Sequence, residues 1–216
     1  MRDPSDAGPD GASAAVSTGG QRTLLHEVDH RVKNNLQLIA SMILLQSRRA
    51  TDPAARQALK TVLERVTAVA TVHRRLFQDD PLNFEVADFL RDLTSDMAAA
   101  AGRDDLQIAL ELDRVTIPAS SAAAFALVAN ELIGNALKHA FPPGRAGRVA
   151  VRLADRGDVC VFSVTDDGVG ATGGSPGFGS TIMKLLCQQL HAELVVSDAG
   201  PGVRATVALP VSQARG

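Results

Sequence analysis

Two stretches of the chain hold residue types whose spacing suits phosphate chemistry. The first is His30-Arg31-Val32-Lys33-Asn34-Asn35-Leu36. His30 stands two positions from both Val28 and Val32, which puts it off the apolar stripe of a helix and toward solvent. A neutral imidazole is a nucleophile, and its ordinary pKa of about 6.5 keeps it mostly neutral near pH 7. Attack on a phosphoryl group would give a phosphoramidate, a high-energy link suited to onward transfer. Arg31 and Lys33 can orient phosphate oxygens. Asp29 is a carboxylate able to hold the ring or take its proton. His26, one turn earlier, ranks below His30 because the basic and amide residues follow His30.

The second stretch is Asn130-Glu131-Leu132-Ile133-Gly134-Asn135-Ala136-Leu137-Lys138-His139. On a helix Glu131, Asn135 and Lys138 fall at i, i+4 and i+7, along one face. A carboxylate, an amide oxygen and an ammonium in line suit a proton acceptor, a Mg²⁺ ligand and a phosphate contact. Magnesium keeps several waters, so one Asn together with nucleotide phosphates can hold it. Small residues at Ala129, Gly134 and Ala136 point to close packing of this helix.

Two glycine-bearing turns complete the set. Val164-Thr165-Asp166-Asp167-Gly168-Val169-Gly170 reads as a strand that ends in a carboxylate and turns sharply. There Asp166 could accept a hydrogen bond from an adenine amino group. Gly173-Gly174-Ser175-Pro176-Gly177-Phe178-Gly179-Ser180 leads into a helix, where backbone N–H groups and the helix dipole favour phosphate. No Lys follows at the position required for a Gly-x4-Gly-Lys-Ser/Thr loop.

The elements that must carry these residues follow from periodicity. Leu25, Val28, Val32, Leu36, Ile39 and Ile43 recur at helical spacing, which predicts a helix to about Arg49. Asp52-Pro53 predicts a cap and a restart. Leu59, Leu63, Val66, Val69 or Ala70, His73 and Leu76 then define a second helix to about Phe77, with His73 on its packing stripe. The two form an antiparallel hairpin, and a second copy would complete a four-helix bundle. Beyond the break at residues 78–81, helices are expected at Val86–Ala101, Ala119–His139 and Thr181–Leu190. Strands are expected at Leu106–Leu112, Arg148–Leu153, Val159–Thr165, Leu194–Ser197 and Ala205–Leu209. That alternation predicts an α+β domain with helices on one face of a mixed sheet. The organisation expected is a disordered segment at 1–20, poor in apolar residues, a helical hairpin at 21–78 and an α/β domain at 82–212.

Composition narrows the classes. A net charge of −2 gives no general attraction to nucleic acid or anionic lipid. No apolar run approaches the roughly 20 residues that span a bilayer, and no signal peptide is evident. Cys160 and Cys187 have no metal-ligand spacing and read as reduced thiols. A cytoplasmic location is the expectation.

These stretches, in this order, resemble the core of a sensor histidine kinase over about residues 22–210. His30-Arg-Val-Lys-Asn-Asn-Leu-Gln is similar to the phospho-acceptor box of the HisKA type 2 subgroup. Asn130–His139 resembles the N box, Asp166–Gly170 the first glycine box, and Gly177–Gly179 the second, in a form closer to the HWE subgroup although the chain has no Trp. Thr206 resembles a closing-strand Thr near the adenine. The resemblance implies a dimerising helical hairpin followed by a Bergerat-type α/β sandwich that binds ATP and Mg²⁺. It implies His30 as phosphate carrier, Glu131 as a polar helper and Asn135 as the Mg²⁺ ligand. Lys138 and His139 would lie near the phosphates, and Asp166 would read adenine. Gly168, Gly170, Gly177 and Gly179 would shape the pocket and its lid, a short one between Gly170 and Gly177. The product would be phosphohistidine, passed to an aspartate of a response-regulator receiver domain, with homodimerisation through the hairpin and a sensor protein or segment upstream. Two other readings remain open at this point: a histidine phosphotransferase or regulator phosphatase with weak ATP use, and a non-catalytic dimeric adaptor that binds a receiver domain.

Overall fold

Asp52 opens the second helix as its position before Pro53 requires. Its two carboxylate oxygens accept the Ala54 and Ala55 amides at 3.2 and 3.1 Å. The structure, a computed structural model, describes residues 31–32, 34–78, 82–170 and 178–211. The segment at 1–20, His26, Asp29, His30 and Gly177 lie outside them. Helix α1 covers residues 34–49, with Arg31 and Val32 helical ahead of it. Helix α2 runs from Pro53 to Gln78.

The two helices distribute their apolar residues differently. On α1, Leu36 and Ile43 are half-buried, but Leu38, Ile39, Met42, Leu44 and Leu45 are exposed. Ile39, a member of the expected apolar stripe, is thus exposed in the single chain. On α2 the expected stripe is half-buried, and among the described side chains the fully buried ones are Ala68 and Val72, which the stripe does not include. Val72 belongs to the main core, because α2 lies against the helix that carries Glu131.

Strand β1 (Asn83–Glu85) pairs antiparallel with β3 (Thr116–Pro118), placing Phe84 opposite Ile117. Neither strand is foreseen, since three residues carry no readable period. Helix α3 (Val86–Ala101) starts where the Glu85 side chain accepts the Ala87 amide at 3.0 Å. It ends at Gly102, whose φ of 57° is the left-handed conformation that glycine adopts without strain.

The main sheet has the order β2-β4-β5-β7-β6: Leu106–Leu112, Gly147–Asp155, Val159–Asp166, Val203–Pro210 and Glu193–Asp198. β2 and β4 are parallel, and the other pairs are antiparallel. Helix α4 (Ala119–His139) and helix α5 (Phe178–Gln189) pack with α3 on one face. That face supplies Val151, Leu153, Phe162, Val164 and Val207 to the core, and Phe125 of α4 meets Phe162 edge-on at 5.3 Å. The mixed α+β class is as expected. α5 begins three residues earlier than the expected Thr181, so Phe178-Gly179-Ser180 forms its first turn instead of loop. Among the described residues, no helix is long and apolar enough to cross a membrane.

Candidate active site

Helix α4 is the element that gathers the site. Its small residues let it sit against its neighbours: Ala122, Ala126, Ala129 and Gly134 are all buried. Its far end presents Asn135, Lys138 and His139 to solvent, while Glu131 is buried.

The glycine turn after β5 is fastened to that same end. The Val169 amide donates to the Ala140 carbonyl at 3.0 Å. A β-carbon on Gly168 would collide with the Ala140 backbone, so only glycine permits this approach. Gly170 has φ +80°, a conformation that favours glycine. Asp166 is 7% exposed. Its Oδ1 accepts the Gly168 amide at 3.0 Å and the Val203 amide at 3.3 Å. Among the described residues Oδ2 has no partner, which leaves an oriented acceptor. A β-carbon on Gly202 would strike the Asp166 carbonyl, so the closing hairpin also packs tightly on this residue.

The neighbouring acid has a different task. Asp167 Oδ1 accepts the Arg148 amide at 2.7 Å, and Arg145 donates to the Asp167 carbonyl at 3.1 Å. Arg103 forms a bidentate pair with Asp105 at 2.9 and 2.7 Å and donates to the Phe141 and Arg145 carbonyls, both at 2.8 Å. This guanidinium holds the Asp105 carboxyl below the usual carboxylate range. Arg103 thereby pins the 140–147 connection beneath the site. Sequence reasoning missed it, and its one signal was the basic-acidic spacing of Arg103 and Asp105.

Two placements correct the sequence reading. Thr206 points away from the site. Along β5 the buried, helix-facing residues are Cys160, Phe162, Val164 and Asp166, and along β7 they are Ala205, Val207 and Leu209. Thr206 has the opposite parity and pairs with Ser163. It lines a depression on the outer sheet face with Arg152, Thr165 and Arg204. Strand period two puts neighbours on opposite faces, so the motif's register had slipped; the β7 group that reaches Asp166 is the Val203 amide. Glu131, for its part, is not an open carboxylate: Arg65 Nε of α2 donates to its Oε1 at 2.6 Å. Lys138 Nζ likewise donates to Glu64 Oε2 at 2.6 Å. Gly179 lies in the first turn of α5, and His30, Asp29 and Gly177 lie outside the described residues.

A helix end that carries an amide and basic residues, joined to a buried Asp on a glycine turn, defines a nucleotide-binding α/β domain of the histidine-kinase and gyrase type. Residues 121–213 match the family described as histidine kinase-, DNA gyrase B-, and HSP90-like ATPase, and residues 27–101 match a histidine kinase family. The chain belongs to the histidine kinases.

The sequence is 33% identical over 185 residues to the sensor histidine kinase PdtaS of Mycobacterium tuberculosis, covering 81% of this chain and 36% of that protein. It is 30% identical over 200 residues to blue-light-activated histidine kinase 2 of Erythrobacter litoralis, covering 88% of this chain and 57% of that one. The chain thus spans from about a third to somewhat over half of these relatives. A solved blue-light-activated histidine kinase from Erythrobacter litoralis superposes with a TM-score of 0.68 at 29% identity, covering 89% of this chain and 60% of that one. The catalytic domain of histidine kinase ThkA shares the fold at TM-score 0.51 and 15% identity, covering 60% of this chain and 95% of that one.

Proposed function

We propose that this chain is the core of a two-component histidine kinase, in which His30 takes the terminal phosphoryl group of Mg-ATP and passes it to an aspartate of a response-regulator receiver domain. The observation that carries the reading is the fastening of the Asp166 turn onto the end of α4. It joins the Asp166 turn to the exposed end of α4, which supports Asp166 as the adenine acceptor and the α4 end as the phosphate-facing side. Asp166 Oδ2 accepts from the adenine amino group, and Gly168 and Gly170 keep the pocket wall close. Lys138 and His139 meet the phosphates.

Mg²⁺ suits the donors present. The Asn135 amide oxygen is exposed and hard, and phosphate oxygens and water complete such a shell. When bound, the ion neutralises phosphate charge. His30 supplies the electron pair that forms the N–P bond. The bond from the γ-phosphorus to the bridging oxygen breaks, ADP leaves with the electron pair of that bond, and the imidazole proton passes to Asp29. Phosphohistidine then yields its phosphoryl group to the receiver aspartate.

The exposed apolar residues of α1, Leu38, Ile39, Met42 and Leu45, support a homodimer in which a second hairpin covers them. Hairpin and ATP-binding domain divide near residues 79–81.

Incubation with ATP labelled at the γ-phosphate tests the assignment. Label that is acid-labile and base-stable, and lost in His30→Ala, is the expected result. Absence of label in the wild type, with a regulator dephosphorylated, would favour the phosphatase reading instead. Receiver binding with neither activity would favour the adaptor.

A further inference from the structure

Two charged residues that stand side by side on α2, Glu64 and Arg65, each hold a charged residue of the N box. Arg65 reaches Glu131 and Glu64 reaches Lys138, each at 2.6 Å. Glu131 and Lys138 are seven positions apart, two turns of α4, so the two α2 side chains diverge to grip both ends of one face. The signs alternate on both helices, and only one docking register satisfies both pairs.

The pairs differ in exposure. The Arg65 and Glu131 side chains are 15% and 10% exposed, whereas those of Lys138 and Glu64 are 37% and 29% exposed. Separating the first pair would leave charges unpaired away from water, which is costly. Separating the second returns both groups to solvent at little cost. The Arg65 guanidinium is held strongly charged, chiefly by its hydrogen bond to Glu131.

We propose that Arg65 and Glu64 are positioning residues of the phosphoryl-transfer site, forming a clamp with one fixed and one releasable end. Arg65–Glu131 fixes the ATP-binding domain on the hairpin. Glu64 competes with nucleotide phosphate for Lys138, so nucleotide binding opens that end while the Arg65 end holds. This rests on the kinase reading above, because Lys138 must meet phosphate.

Calorimetric binding to the full chain tests the releasable end, with a non-hydrolysable Mg-ATP analogue and adenosine as the two probes. Glu64→Gln removes the competitor. It should tighten the triphosphate about two- to fivefold, the fold-change of a partly exposed ion pair, and leave adenosine unchanged. Unchanged triphosphate affinity, or equal tightening of adenosine, overturns the competition. The fixed end is read from autophosphorylation kinetics. Arg65→Gln should lower kcat with little change in KM for ATP, and Arg65→Lys should recover part of the loss. Wild-type kcat in Arg65→Gln, or no recovery in Arg65→Lys, overturns the positioning role, with thermal unfolding confirming that both variants fold. A wild-type chain that binds no triphosphate sinks the kinase reading itself. A wild type that binds and labels while Glu64→Gln behaves identically sinks only the clamp.

Discussion

Helices α1 and α4 are both rich in apolar residues, yet they end in opposite conditions. α4 buries thirteen of its residues against α2, α3, α5 and the sheet. α1 leaves Leu38, Ile39, Met42, Leu44 and Leu45 in water. The contrast separates a helix buried among the described elements of the chain from one whose apolar row those elements leave uncovered. Isolated exposed apolar residues need no explanation, but a row of them along one helix does.

The largest effect that tests this contrast is truncation at the centre of α4. Phe125 is fully buried and edge-on to Phe162. Phe125→Ala should cost about 3–5 kcal/mol in urea unfolding. A cost near that of a surface substitution would mean that α4 is not the heart of the fold. Next in size is Gly168→Ala. Its new methyl meets the Ala140 backbone, so the turn must shift and nucleotide affinity should fall by about fivefold to a hundredfold, in line with overpacking costs of about 1–3 kcal/mol. Thr206→Val is the control on the outer face and should leave affinity unchanged. If Thr206→Val weakened nucleotide binding and Gly168→Ala did not, the assignment of faces would be reversed.

On α1 the prediction runs the other way. Met42→Glu should scarcely change the unfolding of the ATP-binding domain or its nucleotide affinity, but should shift light-scattering mass from dimer to monomer. An unchanged dimer would show that another surface joins the copies.

The smallest effect concerns Cys160. Burial, aided by Asp155 and Asp113, pushes its thiol up to about 12. The reactive species is the thiolate, so iodoacetamide at pH 8 should leave Cys160 unlabelled until the protein unfolds. The unfolded thiol ionises first, so this group's contribution is present at neutral pH. It is lost as pH rises past the unfolded value of about 8.5, by at most about 1.4 kcal/mol per pH unit. Folded-state labelling at pH 8 would show that β5 opens locally.

The sequence by itself determined the element types and most of their limits. Helical and strand periods differ, and caps such as Asp52-Pro53 and Gly102 act within a few residues. It also put Asn135, Lys138, Asp166 and Gly168 in one candidate site, through the resemblance of their motifs to those of a histidine kinase. Short strands escaped it: Asn83–Glu85 is a strand only because Thr116–Pro118 lies beside it. So did the face occupied by Thr206, where an error of one residue in register inverts a side chain. Arg103 and Arg65 carried no local signal that they would hold the 140–147 connection and Glu131. Those contacts join residues 38 and 66 positions apart. Which distant charges meet is decided by how helices and sheet pack, and only the tertiary structure holds that information.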